Sequence, residues 1–132
     1  MSERANLTLA VLLAKEQIAN RVRELAEQIS AEYAGRELFV IGVLKGSWIF
    51  LADLVRLMTI PVTIDFVMAS SYGASTNSSG EVKIVLDLKA QVEGCDVLVV
   101  DDILDSGLTL KHIIDSLKLR KPSSLKVVAL MD

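Results

Sequence analysis

The segment Asp96-Val-Leu-Val-Val-Asp-Asp-Ile-Leu-Asp-Ser-Gly-Leu-Thr109 joins an apolar run to the start of a helical pattern. Its apolar part, residues 96–100, is typical of a strand that is buried on both faces, as in parallel sheets. We predict a turn over residues 101–107 and then a helix from about Leu108 to Leu119. A buried strand that leads directly into a helix indicates an α/β fold.

The same alternation of strands and helices precedes this segment. Residues 16–33 carry apolar side chains at steps of three and four, which predicts an amphipathic helix followed by a left-handed turn at Gly35. Residues 38–44 form another apolar run and predict another buried strand. Ser47 is placed to cap a helix over residues 48–58. That helix is apolar nearly all round, so we expect it to be deeply buried or to lie in a subunit interface.

A pair of alternating strands is predicted in the middle of the chain. Residues 62–68 and 82–87 alternate apolar and polar side chains, as half-buried strands do. The polar residues 70–80 between them exceed the usual hairpin length, so they form either a binding loop or a plain surface hairpin. With a last buried strand over residues 125–131, the prediction is one α/β domain over residues 1–132. Its sheet is mainly parallel, is flanked by helices and contains an inserted antiparallel hairpin.

The composition excludes several classes of protein. The chain has 132 residues, of which 52% are hydrophobic and 23% are charged, so it is a folded domain rather than a disordered chain. A net charge of −3 argues against nucleic-acid binding by bulk charge. Because Cys95 is the only cysteine, an internal disulfide and a cysteine-based zinc site are excluded. No apolar stretch is long enough for a membrane span and no signal-peptide pattern begins the chain, so we expect a cytoplasmic protein without membrane partners.

Three carboxylates follow the strand at residues 96–100. Asp101, Asp102 and Asp105 stand at its end, and the helix that begins directly after them offers free N–H groups and a positive dipole end to a phosphate. The acidic pair would accept hydrogen bonds from sugar hydroxyls or lie beside Mg²⁺. This order of groups fits a ligand with hydroxyls at one end and phosphate at the other. The alternative is that Asp105 only caps the helix while the acidic pair faces water.

A second strand end also offers backbone N–H groups to an anion. Lys45 and Gly46 follow the strand at residues 38–44 and precede a helix. The alternative is an ordinary strand–helix turn, which has the same sequence pattern. The sequence contains no G-x-G-x-x-G, no G-x-x-x-x-G-K-[ST] and no G-x-S-x-G motif, which disfavours other nucleotide sites and an α/β hydrolase. The only histidine, His112, lies within a predicted helix and is expected at the surface or in an interface rather than to act as a base.

The segment from Asp101 to Thr109 resembles the phosphoribosyl pyrophosphate (PRPP) signature of type I phosphoribosyltransferases. Three further segments, Val43-Leu-Lys-Gly46, Ser70-Ser-Tyr-Gly73 and Lys126-Val-Val-Ala-Leu-Met131, are similar to hypoxanthine or hypoxanthine-guanine phosphoribosyltransferases of bacterial type. The resemblance runs from about Val11 to Asp132. It implies the type I phosphoribosyltransferase core and a purine salvage enzyme that converts hypoxanthine or guanine plus PRPP into IMP or GMP plus pyrophosphate, with Mg²⁺ as cofactor.

The resemblance also implies roles for individual residues. Asp101 and Asp102 would hold the ribose hydroxyls, directly or through Mg²⁺, and Asp105 would be the catalytic carboxylate near purine N7. Lys45 and Gly46 would contact pyrophosphate, often with a non-proline cis peptide bond before the lysine. Ser71 and Tyr72 would lie on a lid over the reacting centre. The 5-phosphate would lie in a cradle formed by Leu104, Asp105, Ser106, Gly107, Leu108 and Thr109.

Two alternatives to a complete enzyme stay open. In the family, a lysine that reads the purine, an aromatic side chain that stacks on it and a further acidic residue are expected after the position of Asp132. The chain is therefore either an enzyme, a PRPP- or nucleotide-binding core fragment, or a non-enzymatic nucleotide-sensing relative. Because the helix over residues 48–58 has more apolar faces than a small monomer can cover, we expect a homodimer or homotetramer.

Overall fold

Helices and strands alternate along the chain except in its middle, where three strands follow one another. The computed structural model describes residues 2–72, 81–103 and 107–131. Its elements are α1 (Ser2–Glu32), β1 (Leu38–Leu44), α2 (Trp48–Leu57), β2 (Val62–Tyr72), β3 (Glu81–Leu86), β4 (Asp96–Ile103), α3 (Gly107–Lys118) and β5 (Ser124–Met131). No helix within these described ranges is both long and apolar enough to cross a membrane.

The strands form one sheet in the order β3-β2-β1-β4-β5. β1 lies at its centre and runs parallel to β2 and to β4, and β4 runs parallel to β5. Only β3 is antiparallel to its neighbour among the described strands, since it returns beside β2 as the second arm of the hairpin. The predicted mainly parallel sheet with an inserted antiparallel hairpin is confirmed.

Two hydrophobic clusters cover the two faces of the sheet. On one face, α1 and α2 pack on alternate side chains of β1 and β4, among them Val40 and Val100. On the other face, α3 packs on the intervening side chains, among them Ile41 and Val99. The central strands are therefore covered from both sides, which explains why their sequences are unbroken apolar runs.

The structure corrects three details of the predicted elements. α1 begins at Ser2 rather than at residue 16, because Leu7, Val11 and Ala14 continue the three-and-four apolar spacing toward the N-terminus. The strands β2 and β4 extend through Tyr72 and Ile103, into stretches predicted as loop and turn. Ser47 occupies the position before α2, but it makes no side-chain cap, since its hydroxyl donates instead to the carbonyl of Val43. The left-handed turn at Gly35 is confirmed, with φ at 80°.

Gly42 lies where β1 packs closely against Leu51 of α2. A β carbon placed on Gly42 would lie 2.7 Å from Cδ2 of Leu51 on α2 and 3.1 Å from Cδ1 of Phe66 on β2. Contacts this short displace the neighbours, so a side chain at residue 42 would force Leu51 and Phe66 to repack.

We expect Gly42→Ala to lower the free energy of unfolding by about 1–3 kcal/mol, because overpacking outweighs the gain of alanine over glycine in a strand. Urea unfolding measures the change. In a Leu51→Val background, which lacks the δ carbon, the same substitution should cost less. An equal cost in both backgrounds would contradict the steric explanation.

Candidate functional site

The carboxyl ends of β1 and β4 meet at one edge of the sheet. The two strands are parallel neighbours whose pairing runs from Leu38 opposite Asp96 to Gly42 opposite Val100. The residues that follow Gly42 and Val100 therefore lie side by side at the carboxyl ends of the two strands. In open α/β sheets this edge is where ligands bind. The structure thus brings together the turn after β1 and the acidic end of β4.

The turn after β1 lies directly against the acidic pair. A β carbon placed on Gly46 would lie 2.7 Å from Oδ2 of Asp102 and 3.2 Å from both its Cγ and Oδ1. The space beside Gly46 is thus filled by the Asp102 carboxylate, and any larger residue at position 46 would displace it. Lys45 and Gly46 are both exposed, so the turn is accessible to a ligand. The peptide bond from Leu44 to Lys45 is cis, as the family resemblance implies.

Asp101 and Asp102 belong to β4 rather than to a turn, which corrects the predicted boundary. β5 pairs alongside and extends the ladder, with Asp101 opposite Ala129 and Ile103 opposite Met131. Both acidic side chains are half-buried, and Oδ1 of Asp101 accepts the backbone N–H of Asp102 at 2.8 Å. This bond orients the Asp101 carboxylate at the end of a rigid strand.

The predicted phosphate cradle is described in part. α3 begins at Gly107, shortly after β4 ends, and Leu110 and Ile113 fix it against the sheet. The first N–H groups of this helix have no partners within the helix itself, which makes its start suited to an anion. Thr109 lies half-buried in the first turn. Leu104, Asp105 and Ser106 lie outside the described residues, and of Gly107 and Leu108 only the backbone is described.

The predicted lid residues begin the antiparallel hairpin. The structure places the backbone of Ser71 and Tyr72 in β2, opposite Val82 and Glu81 of β3. This corrects the predicted loop start at Ser70, because pairing with β3 lengthens the strand beyond its apolar pattern. Residues 73–80, which make up the rest of the predicted loop, lie outside the described residues.

Two features near the site were not predicted. The contact between Gly46 and Asp102 joins residues far apart in the chain, and only the glycine itself signals a close approach. The buried hydroxyl of Ser47 is the second feature, since a serine before a helix reads as a cap. Within residues 2–72, 81–103 and 107–131, no group of three or more carboxylate, histidine or cysteine side chains is arranged to hold a metal ion.

The fold and the strand-end site together define a class of protein, the type I phosphoribosyltransferases. The sheet carries its acidic pair and an exposed turn on adjacent parallel strands, and the helix after the acidic strand starts at the same edge. Residues 10–132 match the family described as the phosphoribosyl transferase domain, and the chain belongs to that family.

Several named members of this family are similar to the chain. The chain is 48% identical over 133 residues to the hypoxanthine-guanine phosphoribosyltransferase of Aquifex aeolicus, covering all of this chain and 75% of the relative. It is also 48% identical over 122 residues to the bifunctional protein TilS/HprT of Listeria innocua, covering 92% of this chain but only 19% of that protein. The crystal structure of a hypoxanthine-guanine phosphoribosyltransferase from Bacillus anthracis is similar with a TM-score of 0.80 and 47% identity, over 86% of this chain and 68% of that one.

We expect Gly46→Ala to move the Asp102 carboxylate away from residue 46, because a β carbon and an oxygen cannot lie 2.7 Å apart. A crystal structure of the variant measures the displacement. Gly35→Ala is the matched control, since a β carbon at Gly35 meets nothing within 4 Å and the substitution strains only the local backbone. An Asp102 carboxylate that stays in place in Gly46→Ala would contradict the assigned contact.

Proposed function

We propose that this chain is a hypoxanthine-guanine phosphoribosyltransferase whose PRPP site lies at the carboxyl ends of β1 and β4. The reaction transfers the phosphoribosyl group of PRPP to hypoxanthine or guanine and yields IMP or GMP plus pyrophosphate. The observation that carries the proposal is the Asp102 carboxylate set against Gly46, which puts an acidic, hydroxyl-binding strand end beside an anion-binding turn. PRPP matches this arrangement, because its ribose hydroxyls lie beside its pyrophosphate. The names of the relatives from Aquifex aeolicus and Bacillus anthracis support the proposal.

The two carboxylates at the end of β4 fit the way proteins usually bind a magnesium ion. Mg²⁺ prefers oxygen ligands and is usually bound by one or two carboxylates, with substrate phosphates and water completing its shell. Asp101 and Asp102 supply two half-buried carboxylates at the strand end, which fits this pattern. When bound there, Mg²⁺ would neutralise charge on the leaving pyrophosphate.

The chain's own residues bind and orient the substrate. Asp101 and Asp102 orient the ribose by accepting hydrogen bonds from its hydroxyls, and the turn at Lys45 and Gly46 holds the pyrophosphate. The start of α3 from Gly107 to Thr109, with Leu104, Asp105 and Ser106 before it, binds the 5-phosphate. The bond from the sugar to pyrophosphate breaks as the bond to a purine nitrogen forms.

Two further roles complete the proposed reaction. Asp105 accepts the proton that the purine loses when its nitrogen bonds to the sugar. Ser71 and Tyr72 help to exclude water from the reacting centre, which protects the oxocarbenium-like sugar from hydrolysis. Both roles rest on the resemblance of these residues to the family pattern and on the position of the hairpin beside β1.

Calorimetry tests the proposed ligand. We expect PRPP with Mg²⁺ to release or absorb measurable heat on binding to the 132-residue chain, because the strand-end groups lie on rigid elements. Asp101→Asn combined with Asp102→Asn should lower the affinity by about tenfold or more, since charge-assisted hydrogen bonds to the ribose are lost. Asp115→Asn is the matched control, as its carboxylate is exposed on α3 and pairs with Lys111. A folded sample without any binding heat would refute the proposal.

Asp105→Asn tests the proposed proton acceptor. We expect the rate of nucleotide synthesis to fall by about 10²-fold or more relative to the unaltered protein, because asparagine cannot accept the proton. PRPP affinity should change little, since the phosphate cradle also uses backbone N–H groups. Steady-state kinetics and calorimetry measure the two quantities. Synthesis at nearly the unaltered rate would instead assign Asp105 to helix capping.

We also propose that the chain forms a homodimer or homotetramer through α2 and acts in the cytoplasm. Three apolar side chains of α2 remain exposed in the monomer: Trp48 by 58%, Ile49 by 57% and Leu57 by 47%. A second copy of the chain would remove this apolar surface from water. The cytoplasmic location is supported by the single cysteine, Cys95, which fits a reducing compartment.

Light scattering tests the assembly. We expect Ile49→Glu to convert the oligomer into a monomer, because a charge in an apolar interface lacks a partner. Leu119→Glu is the control, since Leu119 is 82% exposed and lies outside α2. A monodisperse monomer of the unaltered chain at micromolar concentration would refute the oligomer.

A further inference from the structure

We propose that Ser47 is a positioning residue, which holds the turn at Lys45 and Gly46 in the shape that binds pyrophosphate. The inference rests on the proposed function, because it assigns pyrophosphate to that turn. It concerns a side chain that touches no substrate and acts through the backbone of its neighbours.

Ser47 joins the end of β1 to the start of α2. Its side chain is fully buried, with 0% of its surface exposed, and its hydroxyl donates to the carbonyl oxygen of Val43 in β1. Its own carbonyl accepts the N–H of Leu51 at 2.8 Å, which makes Ser47 part of the first turn of α2. Hydrogen bonds therefore link Ser47 to β1 on one side and to α2 on the other.

The segment that Ser47 closes is the exposed anion-binding turn. Lys45 and Gly46 are exposed, whereas Val43 and Ser47 on either side of them are buried. The N–H of Trp48 donates to the carbonyl of Lys45 at 3.4 Å, a long and weak bond. The hydroxyl of Ser47 is thus a buried side-chain restraint that spans the turn. Without it, the backbone N–H groups of the turn would sample orientations that do not converge on an anion.

Ser30 is the matched control, because it is a buried serine that lies away from the proposed site. It is also buried, at 8% exposed, and its Oγ accepts the N–H of Thr59 at 3.0 Å. The bond ties α1 to the connection between α2 and β2, which precedes β2 and so lies at the opposite end of the sheet from the site. Substituting either serine by alanine removes one buried hydroxyl and one hydrogen bond. The two variants should lose similar stability, but only Ser47→Ala should affect pyrophosphate.

The experiment compares two ligands by calorimetry, with Mg²⁺ present throughout. PRPP engages both the turn and the phosphate cradle, whereas IMP carries the ribose hydroxyls and the 5-phosphate but no pyrophosphate. We expect Ser47→Ala to weaken PRPP binding by about tenfold, as the restraint on the turn is lost, and to leave IMP binding unchanged. Ser30→Ala should change neither affinity. If the melting curve shows that Ser47→Ala is unfolded, Ser47→Cys, which keeps a weaker donor in a similar volume, takes its place.

Each outcome decides a separate question. Unchanged PRPP affinity in a folded Ser47 variant, or equal losses for PRPP and IMP, would overturn the positioning role while the proposed function stands. Failure of the unaltered chain to bind either ligand would refute the proposed function itself, and the positioning role with it. A selective loss for PRPP in the Ser47 variant alone supports the inference, because a serine that only stabilises the fold would not distinguish the two ligands.

Discussion

The parallel pairing of β1 with β4 is the constraint on which the site depends. Both strands are covered by helices on both faces, so alternate side chains belong to different hydrophobic clusters. A shift of the pairing by one residue would exchange the two sets of side chains between the clusters, and the cost of that exchange fixes the register. With Gly42 held opposite Val100, the residues that follow each strand have one relative position. The distance between the turn at Gly46 and the carboxylate of Asp102 is therefore set by the core rather than by the loops.

Two glycines allow this arrangement, each by leaving room for a different side chain. Gly42 lies within β1 and leaves room for Leu51, which brings α2 close to the sheet. Gly46 lies four residues later and leaves room for Asp102, which brings the acidic pair close to the turn. Neither glycine has the positive φ found at Gly35, so space rather than backbone conformation accounts for both. The packing of the helix and the geometry of the site are thus adjusted within one short stretch of chain.

The sequence predicts the parts of this structure that depend on local pattern. β1 has the bounds that its apolar run indicates, and the turn at Gly35 is left-handed as expected. The ends of β2 and β4 could not be predicted, because β3 and β5 pair with them beyond the apolar residues. The sequence also predicts a helix cap at Ser47, because nothing in the local pattern shows that the carbonyl of Val43 lies within reach of its hydroxyl. Long-range contacts decide each of these details, including the meeting of Gly46 with Asp102.

NMR mapping of the PRPP site tests the central claim most directly. Amide chemical shifts of the chain, recorded before and after addition of PRPP with Mg²⁺, would identify the residues that the ligand reaches. We expect the largest changes at residues 45–47, 101–103 and 107–109, which come from three separate segments and meet at one edge of the sheet. The cavity of about 330 Å³ between α1 and β5, lined by Arg21, Tyr33 and Lys126 among others, should be unaffected. Changes confined to that cavity, or to only one of the three segments, would contradict a site assembled from adjacent parallel strand ends.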